Sequence, residues 1–282
     1  MTDLYPTRLN DFETFSVRFD PIVWTDAHSD DLAFYKRNGY LVIEKFWPVI
    51  IDSLLMPAFD LLGEPPQSDT LTSLEPNSAV TRAILGVDRL WPFSVVSSDP
   101  RLTELVRSIL GDDTYVHQSR INYKLGIGTT GWRWHSDFET WHAQDGMPTM
   151  RCLTAMIPLV ENTGPNGALM VIPGSHKYFW GSKKSTSHSA EANFSDQVDG
   201  VPTDKILALF LERCGTEIQT LVCSPGDLIL FDCNTLHGSA PNMTPHSRAN
   251  LFVVYNSVFN RLVAPFSCEK PRPVQMAMRE PA

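Results

Sequence analysis

The sequence predicts a mainly β protein with flanking helices, built around a β-sandwich or barrel core. From Thr114 onward, short runs rich in Val, Ile, Leu, Tyr and Phe are bounded by Gly, Pro and Asn, which is typical of many short strands. Helical periodicity is concentrated before Thr114 and returns in one later segment. A chain of 282 residues with 43% hydrophobic residues can bury one full core, so we expect a single domain over residues 1–282.

The first part of the chain predicts an arm and helices. Residues 1–27 follow neither the helical nor the strand period, which indicates an extended N-terminal arm. Ser29 or Asp30 can cap a short helix that continues through Tyr35 and ends at Gly39. The following predicted elements are a strand at Tyr40–Phe46, a helix at Trp47–Leu62 interrupted by Pro57, and a loop at Gly63–Asn77.

The second part predicts a series of strands. A helix at Leu102–Leu110 precedes them, and another at Thr203–Cys214 has Asp204 as its expected N-cap and Gly215 as its stop. The polar, Ser-rich segment 182–200 predicts a mobile loop. The predicted strands are 114–124, 132–138, 150–160, 168–173, 217–223, 226–232 and 249–258.

Composition excludes several classes of function. A formal net charge of -9 provides no basic surface for nucleic acid or anionic lipid. The longest apolar runs are too short to cross a bilayer, and the N-terminus has no apolar signal region, so we expect a cytoplasmic protein that binds neither membrane nor nucleic acid. Five cysteines without a C-x-x-C pair predict reduced structural thiols.

One short motif points to metal chemistry. His135 and Asp137 form an H-x-D pair in a predicted strand, where residues two apart face the same side. An imidazole and a carboxylate are two of the three ligands of the 2-His-1-carboxylate triad that holds Fe(II). Because H-x-D is frequent by chance, a second copy at His28 and Asp30 is better explained as a helix cap.

His237 is the predicted third ligand, because it follows an apolar strand and precedes a Gly turn. Arg248 begins the next apolar strand eleven residues later, and in a rolled sheet it could bind a dicarboxylate such as 2-oxoglutarate. Taken alone, Arg248 could equally be an exposed loop cation. His142, His176 and His246 compete for the ligand role but lack this combination of strand end and downstream arginine.

At these residues the chain resembles the ectoine hydroxylases of the phytanoyl-CoA dioxygenase superfamily. The resemblance covers most of the chain and is weakest between Phe46 and Leu102, a segment that could contribute to a lid or a substrate wall. The matching stretches are Asp3–Arg8, Tyr115–Lys124, Trp134–His142, Asp145–Pro148, Asn166–Gly167, Pro173–His176, Asn234–Thr235, His237–Ser239, Tyr255–Ser257 and Asn260–Phe266.

The resemblance implies a double-stranded β-helix, or cupin-like jelly roll, and often a homodimer. It also implies an Fe(II)- and 2-oxoglutarate-dependent dioxygenase that uses O2 to convert ectoine to 5-hydroxyectoine, with succinate and CO2 as co-products. The implied iron ligands are His135, Asp137 and His237; the implied 2-oxoglutarate-binding residues are Arg248, Asn122, Ser239 and Trp132; and the implied substrate-binding residues are Gln118, Trp141, Phe252 and Arg272.

The residues themselves agree with several of these roles. Gln118 and Asn122 share strand parity, and Trp141 lies four residues beyond Asp137. The alternatives are buried hydrogen-bonded amides and ordinary core packing. Two departures from the family, Gln144 in place of Glu and Trp132 in place of Phe, remove no ligand. The divergent segment between Phe46 and Leu102 leaves open another small cyclic or zwitterionic substrate such as proline. A non-catalytic binding protein is a further alternative.

Overall fold

The structure is a computed structural model that describes residues 3–26, 28–47, 51–65, 67–184, 197 and 199–279. Its strands pair only in antiparallel fashion and form a large sheet, a smaller sheet and a two-stranded ribbon. The strands are β1 (Thr14–Val17), β2 (Tyr40–Ile43), β3 (Leu71–Leu74), β4 (Thr81–Leu85), β5 (Thr114–Lys124), β6 (Trp132–His135), β7 (Cys152–Pro158), β8 (Leu169–Val171), β9 (Tyr178–Gly181), β10 (Gln219–Leu221), β11 (Leu228–Asp232), β12 (His237–Ser239) and β13 (Arg248–Ser257).

The large sheet has the strand order β2-β11-β7-β13-β5-β4-β3, and the smaller sheet has the order β10-β8-β12-β6. The two sheets pack face to face through an apolar cluster that includes Met156 and Phe252 from the large sheet and Leu169 and Val171 from the smaller one. The mainly β class with flanking helices is therefore confirmed.

Helices cover the outer face of the large sheet. Leu54 and Val106 on helices pack with Ile121, Leu153 and Leu251 of the sheet in the largest hydrophobic cluster. This layer leaves the inner face of the large sheet for the cavity described below. The helices are α1 (Asp30–Asn38), α2 (Ile51–Asp60), α3 (Phe93–Ser97), α4 (Pro100–Leu110), α5 (Asp137–Thr140) and α6 (Asp204–Cys214).

The helix caps follow local sequence chemistry with one correction. Ser29 Oγ accepts a hydrogen bond of 3.1 Å from the backbone N–H of Leu32, and α1 ends at Gly39 in the left-handed region (φ 79°). Gly215 terminates α6 as predicted, but the N-cap is Thr203, and Asp204 is the first helical residue. The predicted break at Pro57 is wrong, because α2 continues through it to Asp60.

Two predicted elements differ from the structure. The loop predicted at Gly63–Asn77 contains β3, which pairs with β4 and extends the edge of the large sheet. The strand predicted over 132–138 ends at His135, and Asp137 instead opens α5. The predicted mobile loop 182–200 falls mostly on residues 185–196 and 198, which lie outside the described residues.

Other features of the chain agree with its composition. All five cysteines are free thiols, as predicted. None of the described helices has the length and apolar character needed to cross a membrane. In the N-terminal segment, β1 pairs with β9 and Arg18 forms a buried ion pair of 2.8 Å with Asp232 of β11, so this segment lies against the core.

Candidate active site

Strand pairing brings the three predicted metal ligands together. His135 ends β6 and His237 begins β12, and the two are direct cross-strand partners in the smaller sheet. Asp137 is the first residue of α5. The next residue, Phe138, donates a 2.8 Å hydrogen bond from its backbone N–H to the carbonyl of Cys233, and this bond ties α5 to the segment before β12. One donor atom from each of His135, Asp137 and His237 lies within 4.8 Å of the others.

Backbone carbonyls orient the two imidazoles. His135 Nδ1 donates to the Arg133 carbonyl (2.7 Å), and His237 Nδ1 donates to the Thr235 carbonyl (2.9 Å). Because a carbonyl only accepts, each proton resides on Nδ1 and each Nε2 lone pair is free to bind a metal. The two Nε2 atoms lie 3.7 and 3.9 Å from the carboxylate oxygens of Asp137.

Burial keeps these ligands in their metal-binding protonation states. Desolvation, with a smaller effect from His237, lowers the pKa of His135 to about 3. Desolvation likewise lowers the pKa of His237. Burial would raise the pKa of Asp137, but His237 and then Arg120 outweigh it and hold the pKa below its usual value. Asp137 Oδ2 is buried and has no hydrogen-bond partner among the described residues, as expected of an oxygen that binds a cation.

A cavity of about 840 Å³, including its open mouth, surrounds this triad. It lies between the two sheets. Every site residue predicted from the sequence lines it: Gln118, Asn122, Trp132, His135, Asp137, Trp141, His237, Ser239, Arg248, Phe252 and Arg272.

One end of the cavity is built for an anion. Arg248 begins β13, is 3% exposed, and its Nε has no hydrogen-bond partner in the described part of the chain. Burial lowers the pKa of its guanidinium to about 10. Asn122 and Ser239 line the same end, and Asn122 Oδ1 is also buried without a partner. Trp132 pairs with Ser239 across the smaller sheet and forms the adjoining wall.

Lys124 is a second buried basic residue, beside Arg248, that the sequence reasoning missed. It pairs in register with Arg248 and is fully buried, and its Nζ donates to Ser239 Oγ (2.9 Å) and to the carbonyls of Gly167 (3.3 Å) and Ala240. Burial, then Arg248, lowers its pKa to about 6. The strand parity shared by Gln118 and Asn122 continues to Lys124 and was the available signal.

Arg120 is a second missed residue, and it lies between Gln118 and Asn122 on the same face of β5. Its guanidinium lies 4.7 Å from the ring centroid of Phe252 and donates to Gln118 Oε1. Its Nε is buried without a partner in the described structure, and burial lowers the pKa of the guanidinium. A buried cation with an unused donor is a binding group for a carboxylate.

The segment that follows β13 supplies one of the remaining predicted pocket residues, Arg272, and binds a second, Gln118. Arg272 forms a two-point ion pair with Asp145, with distances of 2.8 and 2.5 Å. Gln118 Nε2 donates to the carbonyl of Met276 (2.7 Å). Trp141 is 2% exposed and begins a π-helical turn, Trp141–Asp145.

The competing histidines lie elsewhere. His142 contacts Asp3 (3.0 Å) and the Met147 carbonyl (2.8 Å), His176 contacts the Lys36 carbonyl (3.2 Å), and His246 is exposed. His28 is exposed beside the helix cap of α1. None of these four residues lines the cavity.

Comparison with known proteins identifies the family. Residues 35–250 match the model of the phytanoyl-CoA dioxygenase (PhyH) family. The chain belongs to this family. Its relatives include the ectoine dioxygenases of Sphingopyxis alaskensis, 42% identical over 100% of this chain and 95% of the relative, and of Stutzerimonas stutzeri, 39% identical over 99% and 95%.

Solved structures agree. The crystal structure of EctD from S. alaskensis with 2-oxoglutarate and 5-hydroxyectoine superposes with a TM-score of 0.88 and 40% identity, covering 100% of this chain and 96% of that one. The same enzyme with bound Fe has a TM-score of 0.86, with the same identity and coverage. The carbocyclase SnoK, at 16% identity and a TM-score of 0.61 over 84% of this chain and 87% of its own, shares the fold. The predicted jelly-roll fold is confirmed.

Proposed function

We propose that the protein is an Fe(II)- and 2-oxoglutarate-dependent dioxygenase that hydroxylates ectoine to 5-hydroxyectoine and releases succinate and CO2. The observation that carries the proposal is one cavity in which three metal-type donors face buried cations with unused hydrogen-bond donors. The full-length similarity to enzymes named ectoine dioxygenase supports the choice of substrate.

His135, Asp137 and His237 would hold Fe(II), and the unpartnered carboxylate oxygen of Asp137 fits a divalent cation. Iron held there would supply oxidation chemistry in which O2 takes two electrons from the 2-oxo acid, which leaves as succinate and CO2, and two from a substrate C–H bond, which gains one oxygen atom. The protein's own part is to orient the reactants and to keep water away from them.

Arg248 would bind the distal carboxylate of 2-oxoglutarate, because its guanidinium can donate two parallel hydrogen bonds. Lys124 Nζ donates to Ser239 Oγ, so the hydroxyl hydrogen of Ser239 can be donated to the same carboxylate. Asn122 and Trp132 would complete this subsite. These assignments rest on burial, unused donors and position in the cavity.

Ectoine is a small cyclic amidine with a carboxylate, and the opposite end of the cavity has matching groups. Arg120 has the unused donor that a substrate carboxylate needs, whereas both hydrogen-bonding arms seen on Arg272 already engage Asp145. The faces of Trp141 and Phe252 suit a delocalised cation. We therefore assign the substrate carboxylate to Arg120 and give Arg272 and Gln118 supporting roles in the wall.

The direct test is an aerobic assay with Fe(II), 2-oxoglutarate and either ectoine or proline, in which succinate and the substrate mass are followed together. A gain of one oxygen on ectoine, matched to succinate, supports the proposal. Oxygenated proline would move the assignment to another small cyclic amino acid. Neither product, from protein shown to hold iron, would favour a non-catalytic binding protein. Asp137→Ala is the matched negative control.

We also propose that the protein acts in the cytoplasm as a homodimer, as its family resemblance implies. Sedimentation velocity tests the assembly: a species with the mass of two chains supports it, and a single-chain species across micromolar concentrations rejects it. Fractionation of the source cells tests the compartment.

A further inference from the structure

The carboxylate of Glu139 joins separate parts of the chain beside the metal ligands. Glu139 is fully buried in α5. Its Oε1 accepts hydrogen bonds from Thr7 Oγ1 (2.7 Å), Arg8 Nε (2.9 Å) and Ser182 Oγ (2.6 Å), and its Oε2 accepts one from Arg8 Nη2 (2.6 Å). A carboxylate with four donors and a two-point guanidinium pair is held in one orientation.

The backbone conformation of the N-terminal segment places the Arg8 side chain against this carboxylate. Arg8 is 6% exposed and adopts a left-handed backbone conformation (φ 57°), which is unfavourable for a residue with a Cβ. Backbone hydrogen bonds hold it there: its N–H donates to the Ser182 carbonyl (2.8 Å), and the Ser182 N–H donates to Thr7 Oγ1 (2.8 Å). Strain that the surroundings enforce at one residue commonly marks a functional position.

The opposite side of the cluster is equally close-packed. A Cβ added to Gly200 would lie 2.7 Å from Glu139 Oε2 and 3.0 Å from Arg8 Nη2, and Gly200 has a φ of 71°. The glycine therefore lets the backbone pass directly against the ion pair.

α5 gives this cluster its importance, because it carries the predicted metal ligand Asp137 and runs directly into the π-helical turn Trp141–Asp145. It comprises Asp137–Thr140, so the metal ligand Asp137 and the cavity residue Thr140 flank Glu139 within the turn. Together with the π-helical turn, α5 forms a helical segment over 137–145, which is too short to be stable by itself and must be held by tertiary contacts. Two such contacts are the Phe138 N–H to Cys233 carbonyl bond and the Glu139 cluster.

We propose that Arg8 is a positioning residue for the metal site, acting through Glu139 to fix α5 and with it the Asp137 carboxylate and the adjacent cavity wall. The inference rests on the proposed function for the identity of the reaction, but the anchoring of α5 can be tested without turnover. The N-terminal segment is then part of the catalytic architecture rather than only a covering of the domain.

The proposal predicts that loss of Arg8 impairs metal binding and substrate alignment but not 2-oxoglutarate binding. In the described part of the chain, no hydrogen bond joins Arg8 to Arg248, which lines the anion end of the cavity, or to Lys124, its neighbour across the sheet. Loss of Arg8 should therefore weaken metal binding and loosen substrate alignment, while the KM for 2-oxoglutarate at saturating metal stays within about twofold.

The test compares Arg8→Met, Glu139→Gln and the double variant with the wild-type protein. Ni²⁺, which imidazole and carboxylate ligands also bind, is titrated calorimetrically, and hydrogen exchange is measured over residues 137–141. The ratio of hydroxyectoine to succinate is measured in the Fe(II) enzyme. We expect about tenfold weaker Ni²⁺ binding, faster exchange and a ratio well below one for each single variant.

Arg151→Met is the control, because Arg151 forms a largely buried 2.8 Å ion pair with Asp112 and does not line the cavity. Because Arg8 and Glu139 act as a pair, the double variant should be no worse than the worse single one. Arg8→Lys, which keeps the charge but not the two-point geometry, should recover part of the Ni²⁺ affinity and remains a test if Arg8→Met does not fold.

Unchanged Ni²⁺ affinity and unchanged product ratio in folded Arg8→Met would overturn the inference, as would an equal loss in Arg151→Met. If the wild-type protein fails to oxygenate ectoine, the proposed function is wrong, but the Ni²⁺ titration and hydrogen exchange still decide the role of Arg8.

Discussion

Replacing Arg248 with leucine should stabilise the ligand-free protein while it weakens 2-oxoglutarate binding. Arg248 is buried in the cavity, its Nε has no hydrogen-bond partner among the described residues, and its neighbour across the sheet is a second basic residue, Lys124. A buried charge without a partner lowers the stability of the ligand-free protein and is compensated when an anionic ligand binds. Leucine keeps much of the apolar volume and removes the charge.

Two magnitudes follow from the structure. Burial lowers the pKa of Arg248 from 12.5 to about 10, which corresponds to a penalty of about 3 kcal/mol on the charged form. Removing the charge can therefore raise the free energy of unfolding by up to about 3 kcal/mol, or several degrees in Tm. Truncating one partner of a buried charged pair costs about 2–5 kcal/mol of binding. With Lys124 still present, we expect the KM for 2-oxoglutarate to rise about 100-fold.

Differential scanning calorimetry with and without 2-oxoglutarate, in the presence of Ni²⁺, measures both effects. The variant should unfold at a higher temperature than the wild type without ligand and should gain little when ligand is added. Arg151→Leu is the control: Arg151 is paired with Asp112, so its loss should lower Tm. A lower ligand-free Tm for Arg248→Leu, or a ligand-induced rise equal to that of the wild type, would refute the reasoning.

Three further predictions concern other residues. Asp137→Ala should abolish iron-dependent consumption of 2-oxoglutarate because one of three ligands is lost; metal analysis and a succinate assay check this, and retained turnover would reject the ligand. Gly167→Ala should lower the free energy of unfolding by about 1–3 kcal/mol, because the backbone φ of Gly167 is 79° and the new Cβ would clash with Lys124 Nζ and the Ala240 carbonyl. The same clash should weaken 2-oxoglutarate binding. Urea unfolding measures the first effect and binding calorimetry the second. Burial lowers the pKa of His176 to about 4, so on acidification the unfolded chain takes up a proton before the folded protein does, and the free energy of unfolding falls from pH 6.5 towards pH 4. In urea unfolding, His176→Gln should show a smaller fall over this pH range than the wild type. An equal fall contradicts the prediction.

Local chemistry in the sequence was sufficient to predict several helix ends and part of the candidate site. The cap at Ser29 and the stops at Gly39 and Gly215 depend on residues within one turn, and they occur where local rules place them. Strand parity likewise put Gln118 and Asn122 on one face, and both line the cavity. The family motifs, which extend over most of the chain, supplied the fold and the reaction.

Tertiary structure decided which polar groups are buried, which are paired and which are left for a ligand. Lys124 became part of the anion subsite because Gly167, Ser239 and Ala240, more distant along the chain, supply its acceptors. The family resemblance implies that Arg272 binds the substrate, yet its Nε and Nη2 already donate to Asp145. The desolvation of a side chain and its hydrogen-bond partners depend on residues that only folding brings together. Strand parity therefore predicts which face of the sheet a side chain lies on, but not which residues it contacts there.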